Sequence, residues 1–171
     1  MNQYTSRRMS SAAHPPLDDT RMRRLLGYCL AQAAAAAYGV FEANIGEPLA
    51  LRRIDYTVLV LVDANRDATN RQLAGLLGLS MPYLTVTLDK LVARGLVTRA
   101  RSDVDRRSSL LRLTDEGRAL LRKAERVAKT MESKLLSRLT PGEVAMLFEL
   151  LLKLRPSRHG HAAASARDHG S

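Results

Sequence analysis

Residues 69–113 read TNRQLAGLLG (69–78), LSMPYLTVTLDKLVARG (79–95) and LVTRARSDVDRRSSLLRL (96–113), and this stretch decides the fold. Gly78 separates two helical patterns, because glycine turns the chain where other residues would extend a helix. Ahead of it, Thr69 can cap a short helix over Asn70–Leu77. Beyond it, Ser80 can cap a second helix by accepting a hydrogen bond from an otherwise unpaired N–H. Pro82 fits the first turn, where its missing donor costs little. Leu84, Leu88 and Leu91 form one apolar stripe at intervals of three and four. Gly95 then closes the helix.

A ribbon follows at once. Leu96, Val97 and Thr98 form one short strand and Ser109–Leu113 another, with Leu111 and Leu113 on one face and Leu110 and Arg112 on the other. The connection, RSDVDRRS, is charged and contains no apolar run. Two helices followed by a basic hairpin make a winged helix-turn-helix. In such a unit the second helix can enter the major groove, and the hairpin tip can reach backbone or minor groove.

The same stretch resembles the MarR family of bacterial transcriptional regulators. The similarity is carried by QLAGLLGLS (72–80), LDKLVARGLVTR (88–99) and DVDRRSSLLRLTDEGRALL (103–121). Its most specific part is the Asp-Arg-Arg wing followed by Leu-Thr-x-x-Gly. It covers roughly residues 22–154. The family implies a homodimer that binds palindromic operator DNA, and a short strand ahead of Asn70 as a third partner for the wing. The residues themselves do not show that strand clearly.

Outward from the motif, composition agrees with a mainly α protein. Of 171 residues, 46% are hydrophobic and only 4% aromatic, so the core is built from Leu, Val and Ala. The formal net charge of +10 suits a polyanionic partner but does not choose among DNA, RNA and an anionic membrane. No apolar run reaches transmembrane length, and 9–20 do not read as a secretory signal; a cytoplasmic location is the expectation. One cysteine allows no intrachain disulfide and no thiolate cluster. The histidines, His14, His159, His161 and His169, stand only near the ends and lack metal-site spacing, so neither metal nor cofactor is expected.

The chain then divides as follows. Residues 1–16 read as a flexible arm, in which Arg7 and Arg8 can touch DNA or make no fixed contact. Residues 17–48 hold an N-terminal dimerisation helix over about 22–45, ended by Gly46 and Pro48, with Leu25, Leu26, Cys29, Ala33, Ala36, Ala37, Val40 and Phe41 on one side. Residues 49–113 are the DNA-binding region, its first helix spanning 49–64 with Val58, Leu59, Leu61 and Val62 inward. Residues 114–156 hold C-terminal dimerisation helices. Thr114 starts one that runs to about Leu136. Thr140, Pro141 and Glu143 start the last, which buries Val144, Leu147, Phe148, Leu151 and Leu154. Residues 157–171 read as a disordered tail. The apolar stripes at the two ends exceed what a small winged unit can cover, and a two-fold dimer resolves that excess. A monomer folding its ends back on itself is the competing arrangement.

Within the second helix of the motif, Ser80, Met81, Pro82, Tyr83, Thr85, Val86 and Lys90 are the candidates for DNA contact, with Asp89 beside them and Thr87 half-buried. Thr85 offers a hydroxyl and Tyr83 can reach phosphate. Met81, Pro82 or Val86 can meet a thymine methyl. Ordinary helix surface is the competing reading for each. Many relatives carry a basic residue where this chain has Val86. In the wing, Asp103, Asp105, Arg106 and Arg107 fill the family's acidic-arginine pattern. The resemblance implies that Asp105 positions an arginine and that Arg107 contacts DNA, with Arg106 beside it. Arg99, Arg101 and Arg112 add candidate phosphate contacts.

Control has two candidate devices. The family implies an aromatic or phenolic ligand between the dimer helices and the winged unit, for which Tyr28, Tyr38, Arg52, Arg53 and Tyr56 are the best-placed polar groups. An arginine suits a carboxylate, but Arg52 and Arg53 equally suit DNA phosphate or plain surface. Cys29 can act as a hydroperoxide sensor, as in one branch of the family; its place on the apolar stripe, without flanking charge, argues instead for core packing. The leading function is a homodimeric, ligand-released repressor. A redox-sensing repressor and a nonspecific architectural nucleic-acid-binding protein are the alternatives. No enzyme constellation is present in the sequence.

Overall fold

The computed structural model describes residues 17–101 and 109–154 and comprises two compact units, Met1–Ala35 and Ala36–Ser171. The first holds a 3-10 turn over Met22–Arg24 and the start of α1, Leu26–Phe41. Asp19 organises it, accepting from the Tyr28 hydroxyl at 2.8 Å and from Arg23 Nε at 2.7 Å. The bond from Tyr28 is the largest reason that the Asp19 carboxyl sits below its ordinary pKa.

The helix expected over 22–45 is divided, and it both starts and ends later. After α1 a wider π turn covers Glu42–Gly46, and α2, Glu47–Leu49, continues the helical path. Gly46 and Pro48 therefore do not end it. Pro48 lies in the first turn of α2, where no N–H is needed, and the stop is Ala50, left-handed at φ 50°. Along α1 only Phe41 is buried, so most of the expected stripe is left uncovered by the described residues.

Leu51 is buried and Arg52 extended, so the next helix, α3, is Arg53–Ala64 and does not begin at 49. Asp55 explains the start. Its buried carboxylate accepts from Arg52 N at 3.1 Å and from the Arg52 guanidinium at 2.9 and 2.5 Å. A buried acid held this way satisfies a free backbone donor at the helix end. Val58, Leu59 and Val62 pack inward as expected, while Leu61 is only partly buried.

After a turn comes β1, Ala68–Thr69, the strand that the family resemblance implies. Thr69 then caps α4, Asn70–Leu77: its Oγ1 accepts from Gln72 N at 3.3 Å and the Gln72 side chain returns a bond to Thr69 N at 2.9 Å. Gly78 is left-handed, φ 64°, and turns the chain through 117° into α5, Met81–Ala93. Strands β2, Val97–Arg101, and β3, Ser109–Leu113, complete an antiparallel sheet of order β1-β3-β2. Register runs from Val97↔Leu113 to Arg101↔Ser109, with Ala68↔Leu111 on the other side. Leu111 and Leu113 face the core, and Arg112 faces out.

Thr114 begins α6, Asp115–Met131, accepting from Gly117 N at 2.9 Å and donating to Gly95 O at 2.6 Å. A Cβ on Gly117 would stand 2.0 Å from the Leu96 carbonyl oxygen, so only glycine permits this seam. The helix ends at Met131, short of the expected Leu136; residue 132 breaks it, and α7, Ser133–Leu136, follows. Ile45, Leu51, Leu59, Leu84, Leu88, Leu91, Leu111 and Leu121 form the sealed centre of the second unit.

The last helix, α8, is Pro141–Lys153, and Thr140 and Glu143 cap each other as expected. Its burial is not as expected. No side chain of α8 is buried, Val144 is partly covered, and Leu147, Phe148, Leu151 and Leu154 are exposed. The apolar period is present, but among the described residues no other element covers it.

Candidate nucleic-acid interface

Helix α5 is held from behind and presents its other side outward. Leu84, Leu88 and Leu91 are fully buried. Thr87, expected half-buried, is buried too, because it lies one position from Leu88 on the inward stripe, and its hydroxyl has no partner. The outward side carries Met81, Pro82, Tyr83, Val86, Asp89 and Lys90, with Met81, Tyr83 and Val86 exposed by 45%, 48% and 53%.

Most hydrogen-bonding groups on this side are already engaged. Ser80 Oγ accepts from Tyr83 N at 3.4 Å, and Thr85 Oγ1 donates to Met81 O at 2.9 Å. Asp89 receives Arg99 Nη2 of β2 at 2.7 Å. That pair ties the ribbon to α5, so Arg99 is a positioning residue in this state as well as a candidate phosphate contact. An exposed pair of this kind contributes about 0–1 kcal/mol, small enough to exchange for another anion. Arg112 likewise reaches Asp67 at 2.8 Å. The backbone of Arg101 ends β2; Asp103, Asp105, Arg106 and Arg107 lie outside the described residues.

A contact that the sequence did not disclose fixes the other end of α5. Arg94 Nη1 donates to the carbonyl of Ala50 at 2.7 Å, bridging 44 positions in the chain. It closes the left-handed turn where α2 stops. Nothing local in the sequence marks such a pairing.

The five candidate ligand residues are distributed differently. Arg53 stacks its guanidinium 3.3 Å from the Tyr38 ring centre, a cation–π contact, and Tyr56 packs against Phe41 at 5.8 Å between rings. Arg52 folds back on Asp55, whose hydrogen bond raises its pKa. Tyr28 belongs to the first unit, engaged with Asp19. Burial, with a smaller push from Glu125, raises the Tyr56 phenol above its ordinary pKa. It lines an open groove of 590 Å³ together with Arg122, Glu125, Arg126, Ala128 and Lys129 of α6. The basic members of that groove, Arg122, Arg126 and Lys129, recur at helical spacing, a signal present in the sequence on the side of α6 away from its leucines.

Cys29, expected in the core, is exposed, and its Sγ lies 3.2 Å from the Arg23 carbonyl. The stripe it belongs to is left uncovered by the described residues. Among the described residues no cluster of His, Cys, Asp or Glu can hold a metal, and no single helix is long and apolar enough to cross a membrane.

Known proteins share this arrangement. A profile of the MarR family matches residues 52–109. The structure of a transcriptional repressor, CouR, bound to a 23-mer DNA duplex is 34% identical, with a TM-score of 0.76 over 81% of this chain and 98% of that one. The PcaV transcriptional regulator from Streptomyces coelicolor, in complex with its natural ligand, is 26% identical, with a TM-score of 0.71 over 82% and 96% of the two chains. A C80S mutant of MarR from E. coli, complexed with operator DNA, is 26% identical, with a TM-score of 0.73 over 82% and 100%.

Proposed function

The chain belongs to the MarR family of transcriptional regulators, and on that premise we propose that it is a cytoplasmic, homodimeric repressor of a palindromic double-stranded operator, released by a small aromatic or phenolic ligand. Residues 49–113 form the DNA-binding region in this proposal, and 17–48 and 114–156 supply the dimer. The observation that carries it is α5 itself: a helix anchored at both ends, with one sealed side and one bare side, beside a two-stranded ribbon. That geometry fits a major groove, with the wing over the adjacent backbone or minor groove. The CouR and MarR complexes with DNA support the partner, and the PcaV complex supports control by a ligand.

Control works through spacing. Half-sites one turn apart demand recognition helices about 34 Å apart. A ligand that prefers a different spacing weakens operator binding by its differential affinity, and a coupling of about 1–3 kcal/mol corresponds to roughly 5- to 150-fold. The groove beside Tyr56 and the Arg53–Tyr38 stack favour an aromatic acid as that ligand.

The test is titration of labelled operator duplex at several salt concentrations. Replacing Arg107 with Ala should weaken binding and flatten its salt dependence, as expected when one phosphate contact is lost. Unchanged affinity and slope would remove the wing from the interface. Calorimetry with aromatic acids, repeated on Arg53→Ala and followed by operator release, tests the ligand. A compound that binds without releasing DNA refutes the coupling.

A further inference from the structure

We infer that this protein reads its operator chiefly through thymine methyl groups, with Val86 at the centre of the reading surface and Met81 and Pro82 beside it. The inference rests on the proposed operator binding through α5. Its first support is an absence in the sequence: from Ser80 to Asp89, SMPYLTVTLD, there is no Arg, Lys, Asn or Gln. The side chains that pair bidentately with guanine or adenine edges are thus missing from the first two and a half turns of the helix.

The structure supplies the second support. Of the polar side chains there, Thr87 is buried, and Thr85 spends its proton on the Met81 carbonyl. Ser80 has one lone pair taken by the backbone N–H of Tyr83, and Asp89 holds Arg99. Lys90 stands exposed on the next turn as a lone flexible ammonium, better suited to phosphate than to a base edge. What the helix offers outward is therefore mainly apolar: Met81, Pro82 and Val86, with the Tyr83 ring alongside and its hydroxyl suited to phosphate. In the major groove the complementary apolar group is the C5-methyl of thymine. An apolar surface set against guanine or cytosine would desolvate their polar edges without replacing the lost hydrogen bonds, so those bases are disfavoured at the same positions.

The experiment uses the full-length protein to select duplexes from a random library, then replaces each thymine of the selected half-site by uracil, which removes only the methyl. At least one thymine should be common to the selected half-sites, and its replacement should weaken binding about fourfold, the effect of exposing one methyl-sized group. At that position 5-methylcytosine should bind more tightly than cytosine. Val86→Ala, truncating a side chain outside the core, should still bind DNA but lose much of the thymine–uracil difference. Half-sites fixed by guanine, uracil tolerated at every position, or a difference that survives both Val86→Ala and Met81→Ala each overturn the inference while leaving operator binding intact. Failure to enrich any duplex overturns the operator reading itself, and the inference with it.

Discussion

Helices α5 and α8 have the same length, 13 residues, and nearly the same opening: a hydroxyl cap, Ser80 or Thr140, with proline in the first turn. Both carry leucines at helical spacing. Yet α5 buries Leu84, Thr87, Leu88 and Leu91, whereas α8 buries nothing. Local sequence decides that a segment is an amphipathic helix; whether its apolar side is covered depends on what the rest of the chain brings to it. For α5 the sheet, α3 and α4 arrive from within the same unit. For α8 no element among the described residues supplies a cover, and a second copy of the chain fits the proposed dimer.

The contrast can be broken first at its strongest point. Leu88→Ala opens a cavity in the sealed centre and should cost about 2–5 kcal/mol in urea denaturation, measured at fixed protein concentration because assembly adds to apparent stability. Little loss there would mean that α5 is no better packed than α8. Gly117→Ala extends the test to the seam behind α5. With a Cβ 2.0 Å from a carbonyl oxygen, the backbone must shift, at about 1–3 kcal/mol. A neutral result in thermal unfolding would show that the seam has slack.

Leu151→Glu probes the other side. In an exposed position it should change the fold of the single chain by no more than about 0.5 kcal/mol, yet sedimentation should shift from dimer to monomer. A dimer that persists would place the cover of α8 somewhere other than in a second copy.

The smallest effect separates the two caps. Glu143 accepts from Thr140 N at 2.7 Å and from its hydroxyl at 2.8 Å, and those bonds, the backbone one first, depress its pKa below the ordinary 4.5. A depressed carboxylate pKa means that this stabilisation is complete above pH 4.5 and is lost as pH falls through the lowered value. Position three of α5 is Tyr83, so that cap contains no carboxylate. Amide exchange followed from pH 5 to pH 2 should therefore loosen the start of α8 before that of α5; simultaneous loosening would sink the distinction.

How far the sequence could be read follows the same division. Caps at Thr69, Ser80, Thr114 and Thr140, the stripe of α5 and the faces of β3 were legible because each depends on neighbours within four positions. The end of the first helix was misread at Gly46 and Pro48 because a helix can pass through both, and the true stop is an alanine in a left-handed turn. The start of α3 depended on Asp55 binding Arg52, an acid more readily assigned to the surface. Burial on α8 and at Cys29 was inferred from periodicity, which identifies a side but does not supply its cover. The exposure of Met81, Pro82, Tyr83 and Val86 on α5 was legible from its period; the anchor from Arg94 to Ala50, a non-local contact, was not.

The bare side of α5 also separates two moments in the life of the proposed operator complex. From Ser80 to Leu88 it carries no formal charge, so it exerts no pull on distant DNA. Capture from solution then belongs to the arginines elsewhere on the surface and is blind to sequence. Discrimination begins only after contact, when methyl groups either meet the helix or do not. A matched and a mismatched operator should consequently be approached at similar speeds and held for different times, so that selectivity appears in residence time.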